Sequence, residues 1–149
     1  MLRRRIRRAL RGRSALCVAL LDIDHFKEVN TKFGYATADK ILRAFAQRML
    51  SECSRRNVDL LRYRSGDEFL LILNDMNEEA SIRFLRDVEG TLETSPQRIQ
   101  PIAERLTFSA GIPICFEPTH ENASTSQIEK VVAECEISLA SVKLRKANA

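Results

Sequence analysis

The stretch that most limits the fold is Arg62-Tyr63-Arg64-Ser65-Gly66-Asp67-Glu68-Phe69-Leu70-Leu71-Ile72-Leu73. An apolar run, Asp59-Leu60-Leu61, leads in, and a longer one from Phe69 to Leu73 leads out. Between them lies a short polar break with one glycine and two acids. Apolar run, tight polar turn, apolar run is the pattern of a β-hairpin. The turn presents Asp67 and Glu68 at its tip, where a metal ion or a phosphate can reach them. A solvated acidic turn has the same local pattern, so context must decide between the two.

The first context is an apolar run at residues 15–22, Ala-Leu-Cys-Val-Ala-Leu-Leu-Asp. Seven apolar residues in a row predict a strand buried on both faces. Asp22 closes it and Asp24 follows two residues later. A carboxylate is costly to bury unless a cation or a donor partners it. Magnesium uses one or two carboxylates plus substrate phosphates in such a setting. The alternative is that one of the two aspartates caps the helix that starts near His25, and both roles can coexist.

The remaining periodicity sets the element order. Phe26 to Phe33 reads as a short helix stopped at Gly34. A second helix covers about Ala36 to Cys53, with Ile41, Leu42, Phe45, Met49 and Leu50 at helical spacing. Asp39 is placed in its first turn, where a negative charge suits the helix dipole. It is equally placed to accept from a nucleobase edge together with Asn30. Glu78 to about Leu92 form a third helix with Ile82, Leu85, Val88 and Leu92 inward, broken at Ser95-Pro96. Arg105 to Phe116 is strand-like, interrupted by Gly111 and Pro113. Ser124-Thr125-Ser126-Gln127 fits a capping box for a last helix carrying Ile128, Val131, Val132, Cys135, Leu139 and Val142 and reaching Lys143. The predicted fold is α+β: a central, mostly antiparallel sheet of about five strands flanked by helices. Asp22 and Asp67, distant in the chain, then sit at strand ends that can be neighbours. That is the arrangement for a two-metal phosphoryl or nucleotidyl transfer site.

The net charge of +4 belongs to one segment. Residues 1–13 hold seven arginines and no acid, which leaves 17 basic against 20 acidic residues elsewhere, a net of −3. With Leu2, Ile6 and Leu10 at a four-residue spacing, the segment reads as a basic amphipathic arm or linker end, ahead of one domain at residues 14–149. Such a patch can contact nucleic acid or anionic lipid; a solvated helix joining an upstream domain is favoured, and no specific nucleic acid is expected. No apolar run approaches the ~20 residues that span a bilayer, and the N-terminus lacks the pattern of a signal peptide. Cys17, Cys53, Cys115 and Cys135 lie far apart with no CxxC pair. The expectation is neither a disulfide nor a zinc framework, and a cytoplasmic location, either free or as the cytoplasmic part of a membrane-attached regulator.

From about Ser14 to Asn148 the chain resembles the GGDEF domain of diguanylate cyclases. Asp22-Ile23-Asp24-His25-Phe26-Lys27-Glu28-Val29-Asn30 matches that family's DxDxFKxxN segment. Gly34, Asp39 and Leu42 fall where its later Gly, Asp and Leu are expected. Ser65-Gly66-Asp67-Glu68-Phe69 stands for the signature hairpin, Thr107-Phe108-Ser109-Ala110-Gly111 for a TxSxG strand, and Lys143 for the lysine of the last helix. The resemblance implies a palm-like nucleotidyl cyclase that condenses two GTP into cyclic di-GMP and two pyrophosphates. Asp22, the Ile23 carbonyl and Asp67 would hold two Mg²⁺ ions, with Mn²⁺ as a substitute. Asp67 would accept the 3′-hydroxyl proton and Glu68 would assist at the metal or the triphosphate. Asn30 and Asp39 would read the guanine edge. The turn carrying Phe26 and Lys27 would hold phosphates together with Lys143, and Gly66 would let the backbone approach the nucleotide. Two copies must meet, so a homodimer is implied, as is an upstream sensor or receiver domain in a longer protein. Arg56-Asn57-Val58-Asp59 matches the family's RxxD inhibitory product site, with Arg83 or Arg86 as candidates to complete it.

The pattern is incomplete. Ser65 replaces the first signature glycine, Tyr63-Arg64 displaces an arginine by one position, and Tyr35 and Ala38 replace a histidine and a glycine. Ala147 stands where a second phosphate-binding arginine is expected, with Arg145 or Lys146 nearby, and the family's N-terminal DxLTGLxNR turn is absent. These departures keep a second function open: a GGDEF module that binds GTP or cyclic di-GMP as a regulatory receptor with little or no turnover.

Overall fold

A computed structural model describes residues 4, 16–64, 66–94, 106–116 and 125–149. At its centre lies β1, Leu16–Ile23, buried along its whole length. The elements that follow are α1 (Phe26–Phe33), α2 (Tyr35–Ser54), β2 (Val58–Tyr63), β3 (Glu68–Asn74), α3 (Glu78–Thr94), β4 (Phe108–Ala110), β5 (Ile114–Phe116) and α4 (Thr125–Ala147). The strand order is β2-β3-β1-β4, with β5 also paired to β1, and every pairing is antiparallel. The fold is thus the predicted α+β arrangement of a five-stranded sheet and four helices. The boundary between arm and domain lies outside the described residues, as do Ser65, Ser95-Pro96 and Ser124.

Side chains alternate across a strand, so β1 feeds two cores. Leu16, Val18 and Leu20 join Tyr63, Leu70 and Ile72 against Ile128, Cys135 and Leu139 of α4. Cys17, Ala19, Leu21 and Ile23 join Phe69, Leu71 and Leu73 against Leu42, Phe45 and Met49 of α2 and Phe84, Leu85 and Val88 of α3. Phe45 is the hub of the second core, with ring centroids 5.8 Å from Phe69 and 6.3 Å from Phe108. On α3, Phe84 is buried and Ile82 only half-buried, so the inward face is rotated from the expected Ile82 stripe. Asn77 starts this helix by accepting from the Ala80 N–H through its side chain at 2.8 Å.

β4 and β5 are one broken strand. Between their pairings with β1, Gly111, Ile112 and Pro113 oppose only Ala19 and Leu20, which is a bulge. Gly111 is needed there for space: a Cβ at this position would lie 2.8 Å from the Leu139 backbone N and 3.1 Å from the Ser138 hydroxyl. The bulge is where α4 settles on the sheet, and Ser138 fixes it by accepting from the Ile112 N–H at 2.7 Å.

Two further sequence expectations are corrected here. Asp39 is not in the first turn of its helix, which holds no acid. The helix begins at Tyr35 directly after Gly34, so Asp39 lies further in and pairs with Arg43 at 3.0 Å. The cysteines are not all free either. The register places Cys17 opposite Cys115, and the two are joined as a disulfide across β1 and β5, leaving Cys53 and Cys135 as buried thiols. Sequence separation had hidden a pairing that only strand register reveals. No helix among the described residues is long and apolar enough to cross a membrane.

Candidate functional site

The end of β1 is where apolar packing gives way to charge. Asp22 is paired to Glu68 of β3 on one side and to Ser109 of β4 on the other. Directly opposed residues share a sheet face, so all three side chains lie on the α4 side. The next residue bonds to the hairpin turn itself: the Ile23 N–H donates to the Asp67 carbonyl at 3.1 Å. The acid closing the first strand and the acids of the hairpin are therefore neighbours. Glu68 is the first residue of β3 rather than part of the loop, because Tyr63 and Asp22 both pair with it.

Asp22 is only 5% exposed. Its Oδ2 accepts from the Lys143 ammonium, which reaches in from the last turns of α4. Its Oδ1 is buried without a hydrogen-bond partner among the described residues. A buried carboxylate oxygen with no donor is expensive, and a cation is the group that would satisfy it. Among the described residues no three His, Cys, Asp or Glu side chains are close enough to form a complete metal cage. That donor set fits magnesium, which takes one or two carboxylates and completes its shell with water and phosphate. It does not fit a structural zinc site, which needs four protein ligands.

Asp24 does a different job. It does not cap α1; that place is held by His25, in left-handed backbone geometry at φ 56° with no side-chain cap. Asp24 instead turns back to the sheet edge. Its carboxylate accepts from the Ser109 hydroxyl at 2.6 Å and from the Thr107 hydroxyl at 2.7 Å, and its N–H donates to the Thr107 carbonyl at 2.9 Å. Burial alone would raise the Asp24 carboxyl, but the bonds from Ser109 and Thr107 and the nearby Lys146 hold it below its ordinary value. Lys146 also donates to the Phe108 carbonyl at 2.8 Å, which pins the end of α4 to β4. The effect is to fix the turn that carries the Ile23 carbonyl.

The hairpin tip is tied to α4 as well. The Tyr63 hydroxyl donates to Glu136, and Arg64 pairs with the same carboxylate at 2.8 Å. Burial, then the bond to Glu136, pushes the Tyr63 phenol up to about 12. Desolvation first, and the adjacent Asp67 second, raise the Glu68 carboxyl above its ordinary 4.5. Gly66 has φ 91°, a backbone geometry that a side chain would strain. The Arg62 guanidinium lies 3.1 Å from where its Cβ would be.

The remaining candidates flank this centre. Phe26 and Lys27 open α1, and the first N–H groups of a helix have no acceptor within it. Phe26 packs against the α2/α3-side core while Lys27 is exposed. Asn30 and Asp39 lie on either side of Gly34, whose N–H closes the end of α1 on the Asn30 carbonyl at 2.9 Å. Ala38 is buried in the α2 packing, and Tyr35 is 83% exposed beside them. Arg56 and Asp59 are not part of this group. Asp59 sits at the opposite end of β2, about 14 Å along the strand from Tyr63, and Arg56 lies two residues before that strand begins. Arg56 pairs with Asp87 at 3.0 Å and lies over the Phe84 ring, and Asp59 accepts from Asn74 at 3.0 Å. Of the residues proposed to join them, Arg83 pairs with Glu79 instead.

Sequence reading missed Glu136 and the structural role of Lys146. A signal was present: Glu136, Leu139, Lys143 and Lys146 recur at spacings of three, four and three, one stripe of a helix. The comparisons with known proteins agree with this geometry. The whole chain, residues 1–149, matches the family described as the diguanylate cyclase GGDEF domain. It is similar to the diguanylate cyclase DgcP of Pseudomonas aeruginosa, 31% identical over 111 residues, which cover 74% of this chain and 16% of that protein. It is also similar to the response regulator PleD of Caulobacter vibrioides, 32% identical over 109 residues, covering 72% of this chain and 24% of that protein. The chain thus spans a quarter or less of these relatives' length. Among solved structures, the diguanylate cyclase SiaD of Pseudomonas aeruginosa, crystallised with its activator SiaC, superposes with a TM-score of 0.69 at 29% identity, covering 96% of this chain and 50% of that one. With a matching fold, a matching motif order and a match over its full length, the chain belongs to the GGDEF family of diguanylate cyclase domains.

Proposed function

We propose that this domain condenses two GTP molecules into cyclic di-GMP and two pyrophosphates. The single observation that carries the reading is the buried Asp22 carboxylate, paired across the sheet to Glu68 beside Asp67, with one oxygen lacking a donor among the described residues. Asp22, the Ile23 carbonyl and Asp67 would hold two divalent cations. When bound, these ions would neutralise charge at the α-phosphate and favour the 3′-alkoxide.

The chain's own groups supply the rest. Asn30 and Asp39 bind the guanine edge, where a carboxylate suits the N1–H and 2-amino donors. The N–H groups of Phe26 and Lys27 face phosphate at a helix N-terminus. Gly66 keeps the hairpin backbone bare beneath the nucleotide. Asp67 takes the proton of the 3′-hydroxyl as that oxygen bonds to the partner nucleotide's α-phosphorus, and the bond to the β-phosphate bridge breaks to release pyrophosphate. Glu68 stays close as a carboxyl of raised proton affinity. Each domain contributes one nucleotide, so two copies must face each other.

A second reading, binding without turnover, is favoured by one feature. Ala147 replaces the second cationic phosphate ligand, while Lys146 is already engaged with Asp24 and Phe108. Incubation with GTP and Mg²⁺, followed by chromatography of the products, separates the two. Cyclic di-GMP formed at a rate per protomer that rises with protein concentration, and lost in Asp67→Ala, supports the enzyme. GTP binding with no product at the highest concentrations refutes it in favour of the receptor.

A further inference from the structure

We infer that Lys143 is a resident counter-ion of the metal site, which a divalent cation must displace and which is thereby handed to the substrate phosphates. The inference deepens the reading of Asp22 as a metal ligand and rests on it. Asp22 is nearly fully buried, and its one engaged oxygen is engaged by Lys143. An unpaired carboxylate in that position would be strongly unfavourable. The lysine therefore supplies in the nucleotide-free protein the charge that a metal would supply later. Oδ1 is open to a cation, but an ammonium left on Oδ2 of the same buried carboxylate would repel a divalent ion there, so the two compete for Asp22.

The neighbouring lysine shows why Lys143 is the mobile one. Lys146 has two acceptors, Asp24 at 3.3 Å and the Phe108 carbonyl at 2.8 Å, and its carboxylate partner is also bound by two hydroxyls. The two lysine stems are equally exposed, at 45% and 46%, but among the described residues Lys143 has one acceptor where Lys146 has two. Released from Asp22, its ammonium needs only a rotamer change to reach solvent, while Lys146 keeps the helix in place. A metal–nucleotide complex offers both halves of the exchange at once: the cation takes Asp22, and an anionic phosphate takes Lys143. A free metal offers only the first half and leaves the lysine unpaired. The device thus makes the site bind metal with nucleotide in preference to metal alone.

The test is direct binding of Mn²⁺ to the nucleotide-free protein, followed by the electron paramagnetic resonance of the free ion. Lys143→Met keeps the stem and removes the competitor, so it is expected to bind Mn²⁺ about tenfold more tightly than wild type if the lysine holds Asp22 nine-tenths of the time. Asp22→Asn is expected to weaken binding. Weakening in Asp22→Asn with no tightening in Lys143→Met would overturn the exchange and leave the metal ligand standing. No effect of Asp22→Asn would remove the metal ligand and the exchange together. A second readout needs no variant: amine-reactive labelling of wild type, read by mass spectrometry. Lys143 should label several-fold faster after a divalent cation is added, with Lys146 unchanged as the internal reference. Equal Lys143 labelling with and without the cation, under conditions where Mn²⁺ binds, contradicts the inference.

Discussion

The two faces of β1 begin alike and end differently. On the α2/α3 side the odd-numbered residues stay apolar to the last, closing on Ile23 beneath Phe45, Phe69 and Phe108. On the α4 side the even-numbered residues run Leu16, Val18, Leu20 and then Asp22. There the covering helix changes with them, from Ile128, Cys135 and Leu139 to Lys143 and Lys146. One face is for holding the sheet together, and the other grades from core into site within a single strand. A rigid support one residue away from the chemistry is what positions Asp22, since period-two alternation leaves the backbone no freedom to turn it away.

That contrast predicts a separation of activity from stability. Asp22→Asn should cut cyclic di-GMP synthesis by at least about 10²-fold, the scale of losing one preorganised electrostatic contact. Its thermal midpoint should move little, because the released Lys143 can reach water. Phe69→Ala, one residue beyond Glu68 on the other face, should do the reverse. Truncating a fully buried phenylalanine costs about 3–5 kcal/mol, visible as a lower midpoint in urea, with Mn²⁺ affinity of the remaining folded protein preserved. A Phe69→Ala protein of wild-type stability would show that the α2/α3 side is not the support.

The seam between the faces is tested at Gly111. An added methyl there meets the Leu139 backbone at 2.8 Å, and backbone cannot rotate aside. Gly111→Ala should cost about 1–3 kcal/mol by overpacking. It should also lower activity more than that stability loss explains, since lifting α4 moves Lys143 and Lys146 together. A variant that loses stability but retains full activity per folded molecule would mean that α4 need not sit at its present height.

Much of this was legible in the sequence, and the failures share a cause. The seven-residue apolar run, the hairpin around Gly66 and the stop at Gly34 are local patterns, and each of these was found within a residue or two, whereas the last helix runs four residues past the expected Lys143. The placement of Asp22 beside Asp67 was also readable, because buried strands next to a hairpin must pair with something. What sequence could not give was register. Cys17 faces Cys115 while Asp22 faces Ser109 only because a bulge at Gly111 shifts the pairing by one residue between them. Charges on α4 were hidden for a related reason. Lys146 reads only as a cation near Ala147, beyond the expected end of the last helix, until the sheet edge beneath it is known.

The smallest predicted effects are in pH, and they have opposite signs at two carboxylates close to each other. Asp24 has a folded value below its ordinary 3.8. Its bonds therefore contribute stability that is complete above that value and is lost as pH falls through the lower, folded one. Glu68 has a folded value above its ordinary 4.5, through desolvation first and Asp67 second. Its protonated form is favoured by folding, so its contribution is complete below 4.5 and is lost as pH rises through the raised value. Asp24→Asn should therefore lower stability at neutral pH and flatten its decline below pH 3.8. Glu68→Gln should raise stability at neutral pH and remove a fall that wild type shows just above 4.5. Urea denaturation across this range, in both variants, measures the two slopes. Equal slopes would mean that Glu68 is as well supplied with donors as Asp24, and that the two carboxylates are held alike.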